Sequence, residues 1–388
     1  MTALPLERPR GRASAAPRGR VLLAPIAVTP SKPLTPSHLK GLLWTDVMRR
    51  ATGQLAEVTH RAAQTTYHPT EQTLGFWEFL DRTEGDRSYG ECTEEEVGEL
   101  YMAFRAEERH TPAAALRPYA DAVEHGWVHP AGERVLRLWS GHYAALGLDG
   151  TGLLGHRPPG LGLDGAIARL EELRMCVDQR PVGGPVHLDA TRFGLPLRQI
   201  VTADGRPNYL ACALRELLPL APDFDEVVLL YDRELDPDHQ LLARVLGELG
   251  PAVRRAPVGR VPVAGRVRSA RHGGWDGLHA GALLAKARAE FDEPAVRLGM
   301  RLYFVAVLGP GQRESFDSTL LRQCLKRAVR MLDAAGAGTA HEPADALAER
   351  VGRHRRDQLH VDPYRLTSSL LGRRAPAPAH DLLSAVYL

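Results

Sequence analysis

Apolar residues form a nearly continuous run over 21–28 (Val21, Leu22, Leu23, Ala24, Ile26, Ala27, Val28), closed by Thr29-Pro30. A run of that length ended by proline predicts a buried strand entering a loop. Over 38–51 the apolar positions Leu39, Leu42, Leu43, Val47 and Met48 recur near the helical period, and Gly53 follows as a stop. Residues 64–173 turn mostly polar, with helical patterns at 94–107 and 113–125 and a Pro- and Gly-rich break at 147–165. Strand patterns return at 185–190, 197–202 and 226–231, and helical patterns lie at 208–218 and 240–249. The resulting order β, β, α, β, α is the alternation of a parallel α/β sheet. The apolar run 302–308 also has strand length, and a short helix is expected at 344–355. The expected architecture is α/β, a doubly wound parallel sheet split by a helical insertion. Its parts are a disordered basic tail (1–20), the first half of the sheet domain (21–60), a mainly helical insertion (61–183), the second half (184–335) and a short C-terminal helical extension (336–388).

With 44% hydrophobic and 25% charged residues, wholesale disorder is excluded. Lysine is confined to Lys32, Lys40, Lys286 and Lys326 and the net charge is only +2, so the many arginines do not by themselves argue for nucleic acid. Cys92, Cys176, Cys212 and Cys324 are far apart and form no C-x-x-C pair, which indicates neither a zinc site nor a disulfide framework and makes a reducing cytoplasm the expected compartment. No apolar run approaches the roughly 20 residues of a spanning helix. The first residues carry arginine, proline and alanine without the apolar core of a signal peptide. Gly160-Leu-Gly-Leu-Asp-Gly165 matches G-x-G-x-x-G, but Arg157-Pro158-Pro159 stands where the dinucleotide fold needs a buried strand. A stretch without any acid runs over 251–275 and carries Arg254, Arg255, Arg260, Arg266, Arg268 and Arg271. It reads either as a solvated loop or as a phosphate-binding loop, since fixed guanidinium groups match anionic oxygens.

Five short patterns, in order, resemble the class I aminoacyl-tRNA synthetases, arginyl-tRNA synthetase most closely. Thr29-Pro-Ser-Lys-Pro-Leu-Thr-Pro-Ser-His38-Leu-Lys-Gly41 is similar to that family's N-P-x-x-P-L-H-x-G-H-x-R, which ends in the HIGH signature. Gly184-Pro-Val-His-Leu-Asp-Ala-Thr-Arg-Phe-Gly194 and Asp204-Gly-Arg-Pro-Asn-Tyr-Leu210 resemble its G-x-V-x-x-D-x-x-x-F-G and D-G-x-x-x-Y-x-T-x-D. The segment 224–250 matches a strand and helix of the family in length. Arg268-Ser-Ala-Arg-His-Gly-Gly274 falls where the KMSKS-type loop belongs, so that loop is placed at 266–274.

The resemblance implies a class I synthetase-like Rossmann (HUP-type) sheet that binds ATP, with Mg2+, and activates an amino or carboxylic acid as its acyl-adenylate. A strand running into a helix N-terminus agrees, because free backbone N–H groups there make an anion cradle. The catalytic group it implies is Lys32, His38, Arg268 and Arg271; Lys32 holds the place of the lysine that substitutes in members lacking one in the mobile loop. Thr35, Ser37, His38, Ser269, Gly273 and Gly274 are the implied ATP contacts, with Thr35 and Ser37 replacing the first histidine and the glycine of HIGH. Ala24, Thr29, Tyr209, Ala213 and Leu235 are the implied amino-acid contacts. The family's guanidinium-binding Asp falls at Ala213 and its Gln at Leu235, while acidic and Asn positions of the first strand and loop fall at Ala24 and Thr29. A buried guanidinium without a carboxylate is costly by about 3–5 kcal/mol, so arginine is not the expected ligand unless another acid, Asp46 or Asp189, takes over.

Little chain flanks the matched segments, so no anticodon-reading domain is expected, although tRNA or a carrier remains a conceivable acceptor; neither DNA nor a membrane is an expected partner. Two function classes stay open. One is an ATP-dependent ligase that passes a neutral acyl group to a non-standard acceptor, as in amide formation of specialised metabolism. The other is a non-catalytic synthetase paralogue acting as a binding or regulatory module, motivated by the altered HIGH segment, loop and pocket. A further nucleotidyl-transfer activity on the same sheet is the remainder, since fold does not fix function.

Overall fold

The computed structural model describes residues 19–62, 64–107, 109, 111–150, 152–155, 160–267, 273, 275, 277–311, 313–336, 344–372 and 378–388. The expected tail at 1–20 lies outside these apart from its last two residues. Strand β1 (Arg20–Ala24) is central in a four-stranded parallel sheet, flanked by β2 (Glu57–His60) on one side and β6 (Glu226–Asp232) on the other, with β7 (Ala252–Val258) outermost. Alternation along the strands divides the core. Val21, Leu23, Val228 and Leu230 pack toward helix α1 (Pro36–Gly53), while Leu22, Val227, Leu229 and Tyr231 face α7 (Tyr209–Leu217) and α8 (Asp236–Gly247). β1 leads through α1 to β2, whereas β6 lies on its other side, so the crevice at the carboxyl ends of β1 and β6 is a topological switch point, where open α/β sheets bind ligands.

Helices α2 (Glu71–Glu84), α3 (Glu94–Ala106), α4 (Ala113–Glu124), α5 (Pro130–Leu146) and α6 (Leu163–Glu172) lie between β2 and the next strand. The strands expected at 185–190 and 197–202 do not join the parallel sheet. They form β4 (Val186–Leu188) and β5 (Arg198–Val201), which with β3 (Cys176–Asp178) make a separate antiparallel sheet. The link between β4 and β5 is too short for a parallel crossover, which needs about a dozen residues. The run 302–308 is also not a strand: residues 302–307 are a π-helical turn continuing α10 (Glu293–Arg301), buried against α1. The basic stretch is not one loop, because its first part is the edge strand β7. Helix α9 (Ala280–Arg288) precedes α10, and α11 (Ser318–Gly336), α12 (Ala344–Gly352), α13 (Pro363–Ser369) and α14 (His380–Val386) complete the fold. Among the described residues no helix is long and apolar enough to cross a membrane.

Helix α1 is buried over most of its circumference, and polar side chains, not one apolar stripe, seat it. Lys40 Nζ donates to Gly259 O and Gly311 O at 2.8 and 2.7 Å, Trp44 Nε1 to Phe304 O, and Thr52 Oγ1 accepts from Val361 N–H. Asp46, 4% exposed, meets the fully buried Arg301, whose Nη2 and Nε lie 2.5 and 3.2 Å from Oδ2. Arg301 Nη1 donates to Leu146 O and Arg297 O, and Arg50 bridges Asp46 Oδ1 to Gly147 O. One carboxylate thus fastens α5 and α10 to α1.

Removing one partner of a buried pair strands the other, so Asp46→Leu is expected to cost about 3–5 kcal/mol in urea denaturation. The double variant Asp46→Leu/Arg301→Met is expected to recover most of that loss; strictly additive costs would show that the pair is not coupled.

Candidate functional site

At the head of α1, Thr35 is the N-cap and Pro36 begins the first turn, a position that tolerates a residue without an N–H. His38 Nδ1 accepts the Thr35 N–H at 3.1 Å and lies 3.3 Å from Thr35 Oγ1. With Nδ1 used as an acceptor, the ring proton resides on Nε2, leaving one oriented N–H donor. Burial, then the positive charges of Lys32 and Arg260, push the His38 pKa from 6.5 down to about 3, so the ring is neutral at physiological pH. Ser37 Oγ accepts from Val261 N–H at 2.9 Å and ties the helix head to the segment after β7.

Lys32 is buried, its Nζ 4.8 Å from the centroid of the Tyr101 ring on α3. On the same helix, a Cβ at Gly98 would fall 2.9 Å from both Pro33 and Trp275. Gly273 has φ +75°, and a Cβ there would come 2.8 Å from Met102 Sδ. The loop carrying Lys32, helix α3, Gly273 and Trp275 therefore meet. Thr35, Ser37, His38, Lys32 and Gly273 are gathered at this end of the molecule, whereas Arg268, Ser269, Arg271 and Gly274 lie outside the described residues. Arg260 was not singled out as a site residue, yet it belongs to this cluster: Nε donates to Asp232 Oδ2 at 3.0 Å and Nη1 reaches Glu234 at 2.8 Å. Its signal was its place just beyond a strand end.

Ala24, Ala213 and Leu235 line one cavity of about 100 Å3 at the carboxyl ends of β1 and β6, together with Arg61, His68 and Glu216. Thr29 and Tyr209 stand beside it. Thr29 Oγ1 accepts from Thr65 Oγ1 at 3.0 Å, and Tyr209 donates its hydroxyl to Gln72 Oε1 while its ring meets His68 edge-on. The expectation of a cavity without a carboxylate is overturned, since Glu216 supplies one. It sits one helical turn after Ala213 and so on the same face of α7. Neither Asp46, paired with Arg301, nor Asp189, which accepts from Thr191 in a turn, lines this cavity. Arg61 Nε and Nη2 both reach Glu216 Oε1, at 2.9 and 2.6 Å, and His68 Nε2 stands 3.8 Å from Oε2. Burial alone would raise the Glu216 pKa, but His68 and Arg61 outweigh it and hold the group below the usual carboxylate value.

No family model matches this chain, and no curated protein sequence is detectably similar to it. Solved structures are similar in fold. The arginyl-tRNA synthetase of Thermus thermophilus superposes with a TM-score of 0.62 at 15% identity, over 97% of this chain and 75% of that one. The arginyl-tRNA synthetase of Plasmodium falciparum gives a TM-score of 0.52 at 9% identity, over 86% and 61% of the two chains. The parallel sheet with its switch point, interrupted by helices, is the class I synthetase fold. Within that fold, this chain is similar to arginyl-tRNA synthetases.

His38 has a folded pKa below its unfolded value, so the unfolded chain binds the extra proton and stability falls as pH drops from 6.5 toward 3. Replacing His38 by Gln is expected to flatten the stability–pH curve in that window while leaving it unchanged above pH 7. An unaltered slope in denaturation series at several pH values would place the acid-sensitive group elsewhere.

Proposed function

We propose that this chain uses ATP to activate a small amino or carboxylic acid. The acid's carboxylate would attack the α-phosphorus, the bond to the β-phosphate oxygen would break, and an acyl-adenylate and pyrophosphate would result. The observation that supports this most is His38, a neutral ring held by its own helix cap with one N–H free to donate, beside the cation Lys32 and at a helix N-terminus. Such preorganised donors stabilise charge as it develops on the phosphate oxygens, without reorganisation during the reaction. Arg268 and Arg271 are assigned to the departing pyrophosphate from their place in the sequence. Among the described residues no three His, Cys, Asp or Glu side chains could hold a metal, which fits Mg2+ carried mainly by the phosphates rather than in a protein cage.

A second reading, a non-catalytic binding module, is favoured by Ser37, whose side chain fills the helix head and is hydrogen-bonded to Val261. ATP–pyrophosphate exchange, screened over the twenty amino acids and small carboxylic acids, separates the two. Exchange with any of them is expected under the ligase reading, and ATP binding without exchange throughout the screen would favour the module.

Under the ligase reading, His38→Ala is expected to lower kcat by about 100- to 1,000-fold with little change in KM, because its hydrogen bond strengthens in the transition state. Arg271→Ala should act in the same way. An unchanged turnover number for either would remove that residue from the mechanism.

A further inference from the structure

The cavity at the carboxyl ends of β1 and β6 contains its own cation. Arg61 directly follows the last residue of β2, and its N–H donates to Leu23 O at 3.1 Å, which extends the sheet ladder and fixes its backbone. Glu216 projects from α7, so both partners of the pair are mounted on regular structure. The two guanidinium N–H groups converge on Glu216 Oε1, and the other carboxylate oxygen faces His68. His68 is more than nine-tenths buried and lines the cavity beside the pair. The rest of the wall combines the apolar Ala24, Ala213 and Leu235 with Asp232, whose charge Arg260 meets at 3.0 Å. Each carboxylate of the lining thus already has a guanidinium partner.

We propose that Arg61 determines the specificity of this cavity: its guanidinium occupies the place a cationic ligand would need against Glu216, and so restricts the ligand to an uncharged side chain. The proposal rests on the adenylation reading only in assigning the cavity to the acyl side chain. A cation entering beside Arg61 would meet a like charge in a partly desolvated space, and an anion would meet Glu216; a neutral group meets neither penalty.

L-arginine and L-citrulline, which have nearly the same shape and differ in charge, are the probes, measured by calorimetry on the full chain. The native protein is expected to bind arginine no better than citrulline. Arg61→Ala is expected to raise arginine affinity about tenfold or more and leave citrulline behind, and the gain should vanish in Arg61→Ala/Glu216→Gln. A folded Arg61→Ala protein, verified by thermal melting, with unchanged arginine affinity overturns the proposal, as does native protein that prefers arginine. Should Arg61→Ala fail to fold, Glu216→Gln alone decides: unmasking Arg61 should turn preference toward glutamate over glutamine by about tenfold, and no such turn overturns the proposal. Pyrophosphate exchange on the native chain is scored separately. Its absence alongside a gain of arginine binding removes the ligase reading and keeps the cavity assignment, whereas exchange without that gain removes only this assignment.

Discussion

A carboxylate buried in the middle of a helix has to be compensated, and most of this molecule is arranged around the compensation of Asp46. Arg301 spends four of its five N–H directions on that task and its surroundings: two on Asp46, one group on the carbonyls of Leu146 and Arg297. Because a guanidinium is planar and its donors are fixed relative to one another, these bonds set orientation as well as proximity. The helices α5 and α10 are thereby held to α1. About 12 Å up the same helix, at 1.5 Å per residue, stands His38. The position of the chemistry is thus tied to a charge pair that takes no part in it.

The two ends of the crevice differ in electrostatic character. Around the head of α1, Lys32 adds to the positive end of the helix dipole, Arg260 is held by Asp232 and Glu234, and burial leaves His38 neutral rather than a further competing cation. Lys40, one turn into α1, donates to the carbonyls of Gly259 and Gly311, and burial followed by the nearby Arg233 outweighs Asp232 and lowers its pKa to about 8. This is a field suited to a polyanion. Around the cavity, by contrast, Arg61 is matched to Glu216 and the neighbouring Asp232 to Arg260. That wall selects by fit and hydrogen bonding more than by net charge.

Part of this was readable from residue order. The run centred on Val227–Leu230 and the period of Leu39, Leu42, Leu43, Val47 and Met48 announced a sheet strand and the helix that covers it, because burial on defined faces imposes those periods. Other elements were not readable, for physical reasons. Strand β7 carries Arg254 and Arg255 because it is an edge, where Glu226 and Asp236 on neighbouring elements receive the charges. Residues 302–306 are all buried, so no polar face marks their helical period. Ala24, Ala213 and Leu235 were found as cavity positions by analogy of motif, whereas the Arg61–Glu216 pair was not. Its members are 155 residues apart, and no local pattern connects them.

The place of β1 in the sheet sets the order in which the protein can be made. It is one of the two inner strands, yet it precedes every other described strand, and its partner β6 lies some 205 residues later, as the bond from Arg20 N–H to Asp225 shows. At a synthesis rate of 5–20 residues per second, Val21, Leu22 and Leu23 wait about 10–40 s before the strand that covers their other edge exists. Parallel pairing across so long a loop is intrinsically slow even then. A nascent chain of this protein can pair β1 with β2 early but leaves the other edge of that apolar strand open until β6 emerges.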